Sequence, residues 1–449
     1  MNKISLDVKK ITDLYEEGRK QYIKEYLAEL HPADIADIID TLDEEKKKEL
    51  FNLLHAEIAS KVIDEVDDHS REQILEDINK ERLTDIVEEM ESHKAADLIA
   101  DLPKYDAQEI LENLEWEDST EVQKLLKYPE DSAGGIMHTE LLSVREEMLV
   151  EDAIIQCMAI SQDVGNIHDV FIIDKDRRLV GVLPVRKLLL IKPEAHISKV
   201  MDRNVISVNV NVDQEEVAEI FKKYDLVSLA VVDGEGKLAG RILIDDIMDV
   251  MMEEASEDIL RFGGVYQDEK VMDPPLRSIK IRLPWLIINL ATAFLAAFVV
   301  GLFEDTIQTL TILAMFMPVV AGMGGNAGTQ ALAIAVRGIA LGEVSFSNAK
   351  RPLINSIIVG LLNGIVNGII TGLIEYWWKG RYMLGVVLCL AMIINLIIAS
   401  FLGIIIPLTL KWLKIDPAVA SAVILTTFTD CIGFLSFLGL ATIFMKYLV

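Results

Sequence analysis

Three hydrophobic rhythms follow one another along the chain. From Lys24 the segments KEYLAEL, ADIIDTL, KELFNLL, SKVIDEV, EQILEDI, TDIVEEM, ADLIADL, QEILENL and TEVQKLL begin at residues 24, 36, 48, 60, 72, 84, 96, 108 and 120, a constant step of twelve. Each carries apolar residues at its third and seventh positions, and all but the last at the fourth. That spacing marks one face of a short helix. Pro32, Pro103 and clusters such as DEE and DDHS fall between segments as starts and turns. No unit of twelve residues can bury its own apolar face, so the units must stack. The pattern predicts a superhelix of short helices over residues 20–127.

A strand rhythm replaces it after Pro129–Gly135. FIIDKDRRLVGVLPVRKLL (171–189) aligns with AVVDGEGKLAGRILIDDIM (230–248) at an offset of 59. Each reads as strand, turn, strand with an internal glycine, then helix. Upstream, IMHTELLSV (136–144) parallels VMDRNVISV (200–208), and each precedes an amphipathic helix, Glu151 to Ile160 and Gln214 to Tyr224. The duplication resembles a pair of CBS domains. That resemblance implies a dimerising module whose cleft in many members holds an adenine nucleotide, with an acid at the start of the last helix on the ribose. Asp245 and Asp246 stand there in the second half, Arg186 and Lys187 in the first. Asp245 equally reads as the cap of its helix.

The third rhythm is five apolar runs, at 283–303, 308–336, 353–376, 383–410 and 417–445. Each is about as long as the ~20 residues that cross a bilayer, or longer. Between the strand region and these runs lies DVMMEEASEDILRFGGVYQDEKVMD (249–273), a helical acidic connector closed by Pro274-Pro275. Like charges at i, i+4 repel; Asp249, Glu253, Glu254, Glu257 and Asp258 suit a helix whose acids share cations with another acidic surface.

Charge sharpens this division. The chain of 449 residues carries −28 overall, yet residues from Leu276 onward hold six acids against eleven Lys/Arg, so about −33 sits before that point and +5 after it. So acidic a first part disfavours nucleic acid, which needs lysine and arginine to displace counterions. Carboxylate oxygens suit hard divalent cations. Cys157, Cys389 and Cys431 are scattered and indicate neither a disulfide framework nor a zinc site. All seven histidines precede residue 200, and neither HExxH nor a Walker-type GxxxxGK[ST] occurs, which argues against an enzyme in the membrane part. The start, MNKISLDVKKITDLYEE, lacks the apolar core of a signal peptide. Loop charges place Arg277, Lys280, Arg282, Arg337, Lys350, Arg351, Lys411 and Lys414 on one side and only Lys379, Arg381 and Lys446 on the other. The basic side is expected to be cytoplasmic, with the N-terminus inside and the C-terminus outside.

Three features of the apolar runs invite chemistry. Gly360, Gly364, Gly368 and Gly372 form a four-residue ladder for close helix packing, with Asn363 and Asn367 beside it as packing or pore-lining groups. Pro318 and GMGGNAGT (322–329) predict a broken helix beside a cavity, with Asn326 offering an amide oxygen. Asp430 is the one ionisable residue deep in a run, 13 residues after Pro417 and 16 before Lys446, with no lysine or arginine at its depth. A lone carboxylate there costs at least ~2.5 kcal/mol, which a passing cation would offset. Asp416 begins the same helix, at the mouth of a pore or as a helix cap.

With the acidic repeat ending KYPEDSAGGIM, the tandem pair ending IDDIMDVMMEEASEDI, then PVVAGMGGNAGTQ and DPAVASAVILTTFTD, the whole chain resembles the MgtE family of magnesium channels and transporters. The resemblance implies a multidomain membrane protein: an all-α short-helix superhelix (1–128), tandem CBS α/β domains (129–250), an acidic connecting or plug helix (251–275) and a five-span membrane domain (276–449). It implies a homodimer in a plasma-membrane bilayer with a pore on its two-fold axis. It also implies closure when cytosolic Mg2+ binds between the acidic domains and the plug. On that reading Mg2+ is both cargo and regulator. Asp430, Asn326 and Asp416 are the pore candidates, and Asp245, Asp246, Asp249, Glu254, Glu257 and Asp258 the regulatory ones. A CBS-regulated carrier of another divalent cation, Mn2+ or Co2+, is the alternative.

Overall fold

The computed structural model describes residues 3–160, 167–265, 269, 271, 273–417 and 421–448. The connector positions 266–268, 270 and 272, and residues 418–420 of DPAVASAV, lie outside the described residues. The chain divides into two compact units, Met1–Met252 and Glu253–Val449.

The first unit opens with α1 (Lys3–Glu16), which lies ahead of the periodic region. Nine helices then follow: α2 (Lys20–Leu27), α3 (Pro32–Asp40), α4 (Glu44–Asn52), α5 (Ala56–Glu65), α6 (Asp68–Glu76), α7 (Lys80–Glu88), α8 (Ser92–Ala100), α9 (Lys104–Asn113) and α10 (Trp116–Leu125). Their starts keep the step of twelve, and each begins four residues before its apolar segment. The preceding residue recurs with the same period. Asp43, Asp67 and Asn79 each accept a bond there from a free backbone N–H of the first turn, at 3.2, 2.6 and 3.0 Å. Alternate helices stack: α3 on α5, α5 on α7, α7 on α9, α4 on α6 and α8 on α10. The early helices share one core built on Ile35, Ile39, Phe51 and Ile63.

Two three-stranded sheets follow. In the first, β1 (Ser143–Arg145) runs parallel to β2 (Asp169–Ile173), which is antiparallel to β3 (Leu179–Pro184). Its helices are α11 (Val150–Ile160), α12 (Val185–Leu188) and α13 (Ile197–Val200). In the second, β4 (Ser207–Asn209), β5 (Ser228–Val232) and β6 (Leu238–Leu243) repeat the pattern, with α14 (Gln214–Tyr224) between β4 and β5. Even the bulge recurs, at Ile172/Ile173 and Val231/Val232. Residues 59 apart meet each other, as a pseudo-two-fold axis requires: Ser228 Oγ donates to Asp169 Oδ2 at 2.8 Å, and Arg178 bridges Lys237. The second half shares a core with α7–α10, in which Val87, Leu98 and Ile110 join Val208, Phe221 and Ile247. That common core fixes α8 against the second sheet.

After β6, α15 (Ile244–Phe262) runs as one helix across the boundary between the units. The second unit contains α16 (Pro275–Gly301), α17 (Glu304–Thr309), α18 (Leu313–Ala340), α19 (Lys350–Lys379), α20 (Tyr382–Trp412), α21 (Ser421–Ile443) and α22 (Met445–Leu448). Five of these, α16 and α18–α21, are long and apolar enough to cross a membrane. The most buried, α20, packs on α18, α19 and α21, and α21 packs on α16, α18 and α20.

The glycine ladder explains the tightest contact. A Cβ at Gly360, Gly364, Gly368 or Gly372 would come within 2.6–2.9 Å of backbone on α20, at Leu396, Ile393, Cys389 and Gly385. The ladder is a packing seam, and Asn363 lies exposed outside it. The expected break at 322–329 is absent. The α18 helix is continuous through Pro318 and GMGGNAGT. Those glycines serve approach instead: Gly324 meets the Asn395 side chain, and Gly328 meets Leu425. Asn395, fully buried on α20, donates from Nδ2 to the Val320 carbonyl at 2.8 Å, so the α18 backbone gains a partner from a neighbouring helix without unwinding.

Candidate functional site

The sequence-derived acids fall into three places. Asp430 sits midway along α21, partly exposed; among the described residues it neither accepts a hydrogen bond nor pairs with a cation. Its neighbours on the helix include Thr426 and Thr427, whose hydroxyls return to the carbonyls of Ala422 and Val423. Asn326 does not join Asp430. It lies exposed on α18, turned away from the face that buries Gly324 and Gly328. Gly433, one turn after Asp430, packs against Asn395, so Asn395 is wedged between glycines of α18 and α21. A polar residue buried among three helices is a feature the apolar pattern conceals.

The second place is the membrane-side end of α15. Arg261 holds Glu257 one turn before it and Asp416 just ahead of α21. Arg261 and Asp416 are each about 30% exposed, and Glu257 is 13% exposed. Burial, with the charges of Asp416 and Glu254 beside it, pushes the Asp258 carboxyl up from its ordinary range. Two acids therefore pair with one guanidinium, while Asp258 and Glu254 lie near Asp416 and each other. The pattern of acids was legible, but Arg261, which joins the connector to the start of α21, was not singled out by it.

The third place lies within the first unit, at the start of α15. Asp246 Oδ2 is 2.7 Å from His138 Nε2, and Oδ1 is 3.4 Å from His93 Nε2. Burial alone would raise this carboxyl; the bond from His138, with the His93 ring close by, overcomes that and holds it far below the carboxylate range. Glu91 approaches His138 Nδ1 at 3.9 Å. Asp249, three residues on, is raised by burial and by Asp64, Asp246 and Asp245, against the opposing charge of Lys94. Lys94 itself is paired with Asp64. Asp245 is exposed. Asp64 and Glu91 are thus the repeat-region acids nearest the start of α15, an assignment the interchangeable twelve-residue registers left open.

A short-helix superhelix, a CBS pair, an acidic connecting helix and five apolar helices define a membrane protein with an acidic soluble half. Family models match in the same order: the MgtE intracellular N domain at residues 30–131, CBS domains at 133–193 and 197–253, and a divalent cation transporter model, MgtE, at 317–440. The chain is 34% identical over 334 residues to "Magnesium transporter MgtE" of Bacillus subtilis (strain 168), covering 74% of each protein. It is 33% identical over 333 residues to that of Enterococcus faecalis (strain ATCC 700802 / V583), covering 74% of this chain and 73% of the relative. The crystal structure of the cytosolic domain of the Mg2+ channel MgtE in complex with ATP matches with a TM-score of 0.52 at 32% identity, over 54% of this chain and 99% of that one. The chain belongs to the MgtE family.

Proposed function

We propose that this protein carries Mg2+ across the plasma membrane, inward and down its electrochemical gradient, as a homodimer with its N-terminus in the cytoplasm. The observation that carries the reading is Asp430, a carboxylate halfway along an apolar helix with no cationic partner among the described residues, in a chain related to magnesium transporters. Mg2+ dehydrates reluctantly and keeps several waters. Two Asp430 carboxylates facing one another across a dimer axis would hold a hydrated ion without stripping it. A membrane potential of 100 mV supplies ~2.3 kcal/mol per elementary charge, twice that for a divalent ion, so entry needs no ATP. Asp416 would stand at the cytoplasmic mouth. Asn326, exposed on α18, would reach the ion only from across the dimer.

Closure would follow from charge. The acidic soluble part repels itself, more so when doubled. Cytosolic Mg2+ bound by Asp245, Asp249, Glu254, Glu257 and Asp258 would relieve that repulsion and favour the closed state by its differential affinity. The relative solved with ATP supports an adenine nucleotide at the CBS pair. In this chain Asp246 is turned to two imidazoles, which leaves the exposed Asp245 for a ribose.

The test is uptake into liposomes holding a Mg2+-sensitive dye. Wild-type protein should admit Mg2+ faster as the interior is made negative, and Asp430→Asn and Asp430→Ala should reduce flux to the protein-free rate. Normal flux in both variants would sink the proposal. Faster uptake of Mn2+ or Co2+ than of Mg2+ under the same gradient would favour the broader divalent carrier.

A further inference from the structure

Glu91, His93, His138 and Asp246 each offer one ligand atom, and the four atoms lie within 4.8 Å of one another. They come from three separate segments. Glu91 stands at the N-cap position of α8, yet its side chain caps nothing. His93 is the second residue of α8. Of the equivalent positions in the other repeats, Gln21, Glu45, Glu57, His69, Glu81 and Tyr105 are exposed and Ala33 is half-buried, whereas His93 is 4% exposed. His138 is also 4% exposed and is anchored by two backbone bonds with Arg241 on β6, at 2.7 and 3.0 Å. Gly240 makes that approach feasible, since a Cβ there would fall 2.6 Å from the His138 carbonyl. Asp246 rises from the first turn of α15.

Among the described residues neither buried ring nitrogen of His93 makes a hydrogen bond, though Nε2 comes within 3.4 Å of Asp246 Oδ1, and the ring stands 4.2 Å from that of His138, centre to centre. A buried polar group left unsatisfied is destabilising, and a bound ion would relieve it. We propose that Glu91, His93, His138 and Asp246 bind a first-row transition ion of the zinc kind. Two neutral imidazoles and two carboxylates are a tetrahedral zinc set, whereas Mg2+ prefers oxygen ligands and retained water. Bonds of about 2.0–2.1 Å in a tetrahedron put ligand atoms about 3.3 Å apart. The four candidate ligand atoms, one from each residue, lie within 4.8 Å of one another, so closing on an ion takes side-chain shifts on the order of 1 Å. The two carboxylates neutralise the ion. Two cations lie close by: Lys94, which is paired with Asp64, and Arg241, whose charge faces Glu140, Glu91, Asp245 and Asp246. The ion would tie α8 of the repeat to the second CBS half. The proposal goes beyond the transport reading and does not depend on it.

The experiment uses the full chain in detergent, stripped of metal and held in millimolar Mg2+. Co2+ is the visible probe and Zn2+ the competitor. One Co2+ per chain should give the intense visible absorption of tetrahedral cobalt, and Zn2+ should bleach it. His93→Gln and His138→Gln should each weaken binding at least tenfold. Because Glu91 is about half exposed, Glu91→Ala should keep the fold and weaken binding about tenfold. Asp430→Asn should bind as wild type, which separates this site from the pore. Undiminished Co2+ absorption in all three site variants, its absence from the wild type, its displacement by millimolar Mg2+, or its loss in Asp430→Asn alone would overturn the proposal.

Discussion

Replacing Arg261 by glutamine removes the guanidinium paired with Glu257 and Asp416, near which Asp258 and Glu254 also lie, while keeping most of the side-chain volume. Two opposing effects follow. Without Mg2+ the chain loses the Arg261–Asp416 and Arg261–Glu257 pairs. These are partly exposed, so each is worth about 0.2–1 kcal/mol, and all four acids remain. A unit of this size shifts by about 2–4 °C per kcal/mol, so the loss of two pairs should lower the melting temperature of the detergent-solubilised variant by ~1–8 °C in the absence of divalent ions. With Mg2+ the sign reverses. A unit charge about 6 Å from a divalent ion is worth ~1.4 kcal/mol even at the dielectric of water. Screening at physiological salt, with a Debye length of about 8 Å, removes roughly half of it. Arg261 therefore competes with Mg2+ for these carboxylates, and its loss should tighten Mg2+ binding by about three- to tenfold.

The assay is melting temperature against Mg2+ concentration for wild type and Arg261→Gln. The two curves should cross, the variant lying lower at zero Mg2+ and reaching its plateau at a several-fold lower concentration. A variant with an unchanged or higher Mg2+ midpoint would refute the claim that these acids bind the regulatory ion. An unchanged melting temperature at zero Mg2+ would refute the smaller claim that Arg261 ties α15 to α21.

The seam between α19 and α20 gives a second test: Gly364→Ala places a methyl 2.8 Å from Ile393 Cα and should cost about 1–3 kcal/mol, read as a lower melting temperature. Gly325→Ala, with nothing within 4 Å, should be neutral or stabilise by up to ~1 kcal/mol. Asn395→Ala removes its bond to the Val320 carbonyl, a membrane hydrogen bond worth about 0.6–1.7 kcal/mol, and should lower stability by at least that much in the same assay. In the repeat, Asp67→Ala should cost about 1 kcal/mol of helix capping in denaturant melts. Burial alone would raise the Asp67 carboxyl, but the Ser70 amide and hydroxyl outweigh it and hold it below its ordinary value. A lowered folded-state value gives stabilisation that is full above the unfolded carboxylate range, near pH 4, and fades as pH falls through the folded value. The gap between wild type and variant should therefore be constant at neutral pH and close in acid; a gap that widens there would contradict the capping role.

How much was legible follows from the range of the interactions involved. The twelve-residue step is local, because each helix advertises its own face and its own capping residue, and the structure keeps the step from Lys20 to Trp116. The CBS pair was equally plain, since a duplicated segment prints its offset of 59 in the sequence and its pseudo-two-fold contacts then obey it. The five spans needed only length and apolarity. What failed was inference from glycine. Pro318 and the glycines at 322–329 have the composition of a break, yet the same residues equally permit close packing. The choice between the two depends on Asn395, some seventy residues away, whose amide satisfies Val320. The histidines were hidden for a related reason. His93 looks like one more solvent position of a repeat, and His138 like a loop residue. Only the shared core of α7–α10 with the second sheet, built from contacts such as those of Val87, Leu98 and Ile247, brings both onto Asp246. A repeat tells where each helix turns its apolar face. It does not tell which copy departs from the rule, and here the copy that departs, α8, is the one that meets the start of α15.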